Sequence, residues 1–158
     1  MNNSKEYFVA LHNLVRGLLI EDSFDVVFNK VSIQFFPMYE SAKRRKAMPI
    51  NIKELITFSK YLYEMDEQDA LIASCVSISL TNQIVLYSNG IDAKLKIGFK
   101  KIDEKLHSHA WVELENGEVI DPQNHLGKLQ VMHIFKMRDG VERWVTENEN
   151  VDSYVGRK

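Results

Sequence analysis

Apolar positions first recur at helical spacing and later alternate with polar ones, so the chain changes period near its middle. Tyr7, Phe8, Leu11, Leu14, Val15, Leu18 and Leu19 line one side of a first helix. Phe24, Val27, Phe28, Val31 and Phe35 repeat the spacing, with Asp22 or Ser23 as N-cap and Pro37 as the expected stop. The basic stretch "SAKRRKAMP" then reads as an exposed connector. Asn51 and Glu54 have capping-box spacing and open a third helix, whose apolar face is Ile52, Leu55, Ile56, Leu62 and Tyr63. "SCVSISLTNQIVLYSNG" is apolar almost all round and should be a buried central helix ending at Asn89-Gly90. Ser74 as its N-cap would make Cys75 the first helical residue. An earlier start near Asp66 or Asp69 would leave Cys75 in mid-helix.

From Ala93 the period is two. Ala93, Leu95, Ile97 and Phe99 alternate with Lys94, Lys96, Gly98 and Lys100, as in a half-exposed strand. "HAWVEL" and "EVID" are the next two strands. "KLQVMHIFKM" and "VERWVTE" are two more, joined at Arg138-Asp139-Gly140. Helices first and strands later predict an α+β fold with a largely antiparallel sheet. The expected division is one domain: a helical region over 1–65, a core with the cysteine helix and the sheet over 66–147, and a loose polar tail over 148–158.

Composition narrows the function classes. The chain has 158 residues, 45% hydrophobic and 27% charged, an ordinary globular balance able to bury a core without disulfide or metal. A net charge of -2 offers no whole-chain attraction to nucleic acid. The one cysteine forms no internal disulfide, and the N-terminus lacks signal-peptide features. No apolar run approaches membrane-spanning length. These features point to a cytoplasmic protein without membrane insertion.

Three residues carry candidate chemistry. A thiol becomes a nucleophile on losing its proton. A helix N-terminus favours the thiolate, an imidazole accepts the proton, and a carboxylate behind the imidazole fixes its tautomer. Cys75, His109 and Asp121 fit that plan. Each also has a simpler reading: a small buried hydrophobe, a structural histidine, and a turn-starting Asp-Pro pair. Gln68 is the one side chain to name as an extra oxyanion donor, although a surface glutamine is the commoner case. Trp111 is a residue of the cleft or of the packing. His107, His109, His125 and His133 lack the carboxylate or cysteine spacing of a recognisable metal set, so no metal or other cofactor is expected. His12 is assigned to the helix surface.

The hairpin around Asn116-Gly117 permits a sharper test. With a two-residue turn, Val112 faces Asp121, and His109 lies on the opposite face of the sheet. With a three-residue loop, Glu115-Asn116-Gly117, and Gly117 in the left-handed region, Leu114 faces Glu118 and Trp111 faces Asp121. His109 and Asp121 then share a face on a diagonal of about 7–8 Å. A catalytic pairing therefore requires the longer loop or an equivalent bulge.

The cysteine helix, "LYSNGIDAKLKIGF" and "SHAWVELENGEVID" together resemble the lasso peptide biosynthesis B2 proteins, of the transglutaminase-like group of papain-fold cysteine peptidases. The likeness runs from about Leu55 to Asp121. It departs at Ser74-Cys75-Val76, where members often carry Arg-Cys-Leu. The resemblance implies a peptidase that removes the leader from a ribosomally made precursor peptide. Cys75 would be the nucleophile, His109 the base and Asp121 its orienting carboxylate. It also implies a separate small leader-recognition protein and an ATP-dependent cyclase as partners. The alternatives are a transglutaminase-like or amide-forming enzyme of the same fold, and a peptide-binding module without catalysis.

Overall fold

The computed structural model describes residues 4–45, 50–68, 74–123 and 129–142. Four helices come first: α1 (Ser4–Glu21), α2 (Phe24–Arg45), α3 (Ile52–Gln68) and α4 (Cys75–Ser88). Four strands follow: β1 (Lys94–Ile102), β2 (Lys105–Glu113), β3 (Val119–Ile120) and β4 (Gln130–Lys136). The strands form one antiparallel sheet in the order β3-β2-β1-β4. The α+β architecture is therefore as expected.

Central placement of α4 follows from its composition. Its residues Ser77 to Ile84, with Leu86 and Tyr87, are buried, and it touches α1, α2, α3, β1 and β2. Two apolar clusters flank it. One joins Leu11, Val15, Val27, Phe28, Val31 and Tyr39 to Leu80, Ile84, Leu95 and Ala110. The other joins Phe8, Leu55 and Leu62 to Ile78, Leu86, Val112 and Ile120. Leu95, Ala110, Val112 and Ile120 thus turn one face of the sheet toward the helices. Gly90, at φ +85, closes α4, with its N–H donating to the Tyr87 carbonyl and the Ile91 N–H to that of Leu86.

Several local expectations fail for physical reasons. α2 does not stop at Pro37 but runs through it to Arg45, so the first part of the basic stretch is helical. A mid-helix proline costs about 3 kcal/mol in isolation. Here burial continues on the same face beyond it: Tyr39 and Ala42 extend the Val27-Val31 stripe, and Tyr39 stacks on Tyr87 at 4.7 Å. The hairpin expected at Arg138-Asp139-Gly140 is instead a helical turn over 137–142. Met137 and Val141, four apart, are both buried, and Gly140 lets the turn approach Ser32 and Asn29 closely. The rest of "VERWVTE" and the expected tail lie outside the described residues. On α1, Tyr7 and Leu14 are exposed, while His12, expected at the surface, is fully buried. It lies four residues after Phe8 and three before Val15, inside the buried stripe.

Candidate active site

Ser74 caps α4, which makes Cys75 its first helical residue. The Ser74 hydroxyl accepts from the Ser77 N–H at 3.1 Å, and the Ser77 hydroxyl accepts from the Ser74 N–H at 2.9 Å. This reciprocal box uses two backbone donors that the first turn would otherwise leave unpaired. The half-buried thiol therefore stands where the helix dipole favours negative charge.

β2 supplies the imidazole, and the next loop supplies its partner. The loop has three residues: the Leu114 N–H donates to the Glu118 carbonyl at 2.8 Å, the Gly117 N–H to the Leu114 carbonyl at 3.0 Å, and Gly117 has φ +90. Val112 pairs with Ile120 and Glu113 with Val119, so the same register sets Trp111 against Asp121. His109 and Asp121 consequently share a face, and His109 Nε2 lies 2.8 Å from Asp121 Oδ1. Their side chains are only 6% and 2% exposed, so the bond is shielded from competing water.

The end of β3 explains how Cys75 reaches this pair. In that register Pro122 falls opposite Ala110, and a proline has no N–H with which to continue the ladder. Pairing stops at Ile120, which leaves the Ala110 backbone beside the site, where it favours the Cys75 thiolate. Cys75 and His109 line the same cleft, where the charge of the ring acts on the thiol.

These contacts set the proton balance. Burial pushes the Cys75 thiol up, but the hydrogen bond to His109, the Ala110 and Val76 backbone and the charge of the ring outweigh it, and the pKa is lowered. Burial pushes His109 down, but the Asp121 carboxylate and the Cys75 sulfur overcome it and raise the ring to about 9. Both shifts favour a thiolate–imidazolium pair.

Trp111 packs over Gly98, where an added Cβ would meet its ring at 2.9 Å, and lies 6.1 Å from the His109 ring at an interplanar angle of 20°. It shields the pair and does not line the opening. A cleft of about 340 Å³ opens over Cys75 and His109. Its walls are Tyr63 and Ser74 on one side, Lys100, Ile102, His107 and Ser108 of the β1–β2 hairpin, and Gln123 and Leu129. Sequence reading placed Tyr63 only on the apolar face of α3 and did not name Gln123; their presence in the cleft depends on contacts between distant parts of the chain. Gln68 closes α3, but its side chain lies outside the described residues, as does His125. Among the described residues no group of three or more His, Cys, Asp or Glu is arranged to hold a metal ion. No described helix is long and apolar enough to cross a membrane.

No curated protein and no solved structure matches the chain. A family model described as Transglutaminase-like superfamily matches residues 18–133, a span from the end of α1 to β4. That span covers well over half of the chain and holds the cysteine helix and both strands of the His109–Asp121 hairpin. The protein accordingly belongs to the transglutaminase-like superfamily, whose fold serves cysteine peptidases and acyltransferases.

Proposed function

We propose that this protein is a cysteine peptidase that removes the leader from a ribosomally synthesised precursor peptide during lasso peptide maturation. The observation that carries the reading is the Cys75–His109–Asp121 alignment, with the thiol on a helix N-terminus and the carboxylate buried behind the ring. The Cys75 thiolate attacks the scissile carbonyl while its N–H, the first of α4, donates to the developing oxyanion. His109, protonated, gives its proton to the leaving amine as the C–N bond breaks, which leaves a thioester on Cys75. His109 then takes a proton from water, whose oxygen attacks the thioester and releases the leader carboxylate. Asp121 holds the ring in position throughout. A small leader-recognition protein delivers the substrate in this reading, and an ATP-dependent cyclase takes the product, all in the cytoplasm.

Mass spectrometry of candidate precursor peptides, incubated with the leader-binding partner, tests the proposal. Cleavage by the wild type and its loss by more than about a thousandfold in Cys75→Ala are expected. Cleavage that survives Cys75→Ala rules out the cysteine mechanism. A product joined to an added amine, in place of a free carboxylate, assigns acyl transfer instead.

A further inference from the structure

Among the described residues, His12 is a buried imidazole that the mechanism above does not use. It sits on the apolar stripe of α1 with no exposed surface, and its Nε2 lies 2.9 Å from Ser77 Oγ. Desolvating an imidazole is unfavourable without a hydrogen bond, and a leucine would suit the stripe better on burial grounds alone. What His12 holds is the hydroxyl on which the α4 cap depends. Ser77 Oγ accepts from the Ser74 N–H at 2.9 Å and donates to the Ser74 carbonyl at 3.1 Å. The hydroxyl has one proton. Spending it on the Ser74 carbonyl leaves a lone pair for the Nε2–H of His12, so the three groups form one directed chain.

Ser74 immediately precedes Cys75, and its extended backbone, φ -133 and ψ 163, aims the first turn of α4. First turns are where helices fray, and a nucleophile placed there inherits that motion. We infer that His12 is a positioning residue: through Ser77 it clamps the Ser74 cap and thereby holds Cys75 in line with His109. This rests on Cys75 being the nucleophile.

The clamp is tested by reach. In His12→Gln the amide extends about as far as Nε2; in His12→Asn it falls short of Ser77. The primary readout is the pH dependence of Cys75 alkylation by iodoacetamide, followed by mass spectrometry on the full chain. It needs no peptide substrate, so failure of the peptidase reading leaves it interpretable. The titratable groups facing Cys75 are His109, with Asp121 behind it, and Tyr63, Lys100 and His107 in the cleft; all are unchanged in the variants. His12→Asn is expected to raise the alkylation midpoint by about one pH unit, as the thiolate loses its aligned partners. For peptide cleavage it should lower kcat about tenfold with KM nearly unchanged. His12→Gln should restore both. Ser77→Ala should reproduce the Asn phenotype, and adding His12→Asn to it should change nothing more. A wild-type midpoint in folded His12→Asn, or failure of His12→Gln to differ from it, overturns the inference. Should His12→Asn not fold, an unshifted midpoint in Ser77→Ala overturns it equally.

Discussion

Two hairpins share β2, and they turn differently. β1 and β2 meet through Asp103-Glu104, both at positive φ (50 and 69), which sets Ile102 directly against Lys105. β2 and β3 meet through Glu115-Asn116-Gly117, with Gly117 at φ +90. The first turn sets Gly98 opposite His109 and leaves a Cβ-free surface under Trp111. The second sets Asp121 opposite Trp111, one diagonal from His109. Side chains alternate between faces, so a slip of one residue moves a whole strand's set to the other side. In the β1–β2 turn the residue types govern stability. In the β2–β3 loop the residue count governs whether the imidazole has a carboxylate.

Shifting the register of the second hairpin by one residue is the severest way to break this contrast. Deleting Glu118 keeps the three-residue loop but should set Leu114 against Val119 and Val112 against Asp121, carry Asp121 to the helix-facing side and abolish peptide cleavage by more than about a thousandfold. Full activity in that deletion would refute the register argument.

Asp121→Asn keeps the loop and removes the charge. Cleavage should fall by about a hundred- to ten-thousandfold with the fold intact by circular dichroism. The pH profile should move as well. His109 is raised from 6.5 to about 9 in the folded chain, so its contribution to stability is complete below 6.5 and is lost as pH rises through about 9. Cys75 has the opposite sign: its pKa is lowered from 9.0, and its contribution is lost as pH falls through the folded value. The wild-type rate should therefore decline on the alkaline side near pH 9, whereas in Asp121→Asn that limb should move toward 6.5.

Gly98→Ala tests what the first hairpin provides. The new Cβ meets the Trp111 ring at 2.9 Å and the Gln130 carbonyl at 3.1 Å, so the ring must move. Overpacking of this kind costs about 1–3 kcal/mol, readable in chemical denaturation, with a smaller loss of activity through the displaced Trp111. The mildest change replaces Asp103-Glu104 by Asn-Gly. Both residues then tolerate their positive φ, and stability should rise by about 0.5–1 kcal/mol in denaturant titration with cleavage unaltered. A change in cleavage here would mean that the first turn also tunes the site.

Much of this was legible before folding. Gly90 as the end of α4 and the alternation of β1 and β2 follow from short-range chemistry, whereas the start of α4 stood between Ser74 and an earlier position near Asp66 or Asp69 until the structure showed the Ser74 cap. The two-way choice at Asn116-Gly117 could be posed from the sequence, with its consequence for His109 and Asp121 stated. Pro37 misled because a local rule against mid-helix proline was outweighed by burial of Tyr39 and Ala42. The turn expected at Arg138-Asp139-Gly140 misled because Met137 and Val141, four apart on one buried helical face, were read as the ends of two strands. His12 was missed although its place between Phe8 and Val15 marked it as buried. Polarity suggested a surface, and the partner that satisfies it, Ser77, is 65 residues away.

By itself, then, the sequence determined that helices precede strands, that Ser74 is one of two candidate starts of the cysteine helix, and the residue types of a nucleophile, a base and a carboxylate. These depend on backbone preferences and side-chain period, which act over a few residues. Only the tertiary structure decided which loop register was taken, that Cys75 and His109 line one cleft, and that His12 reaches the α4 cap. Those are contacts between groups far apart in the chain, selected by what each buried polar atom can find as a partner once the core has closed.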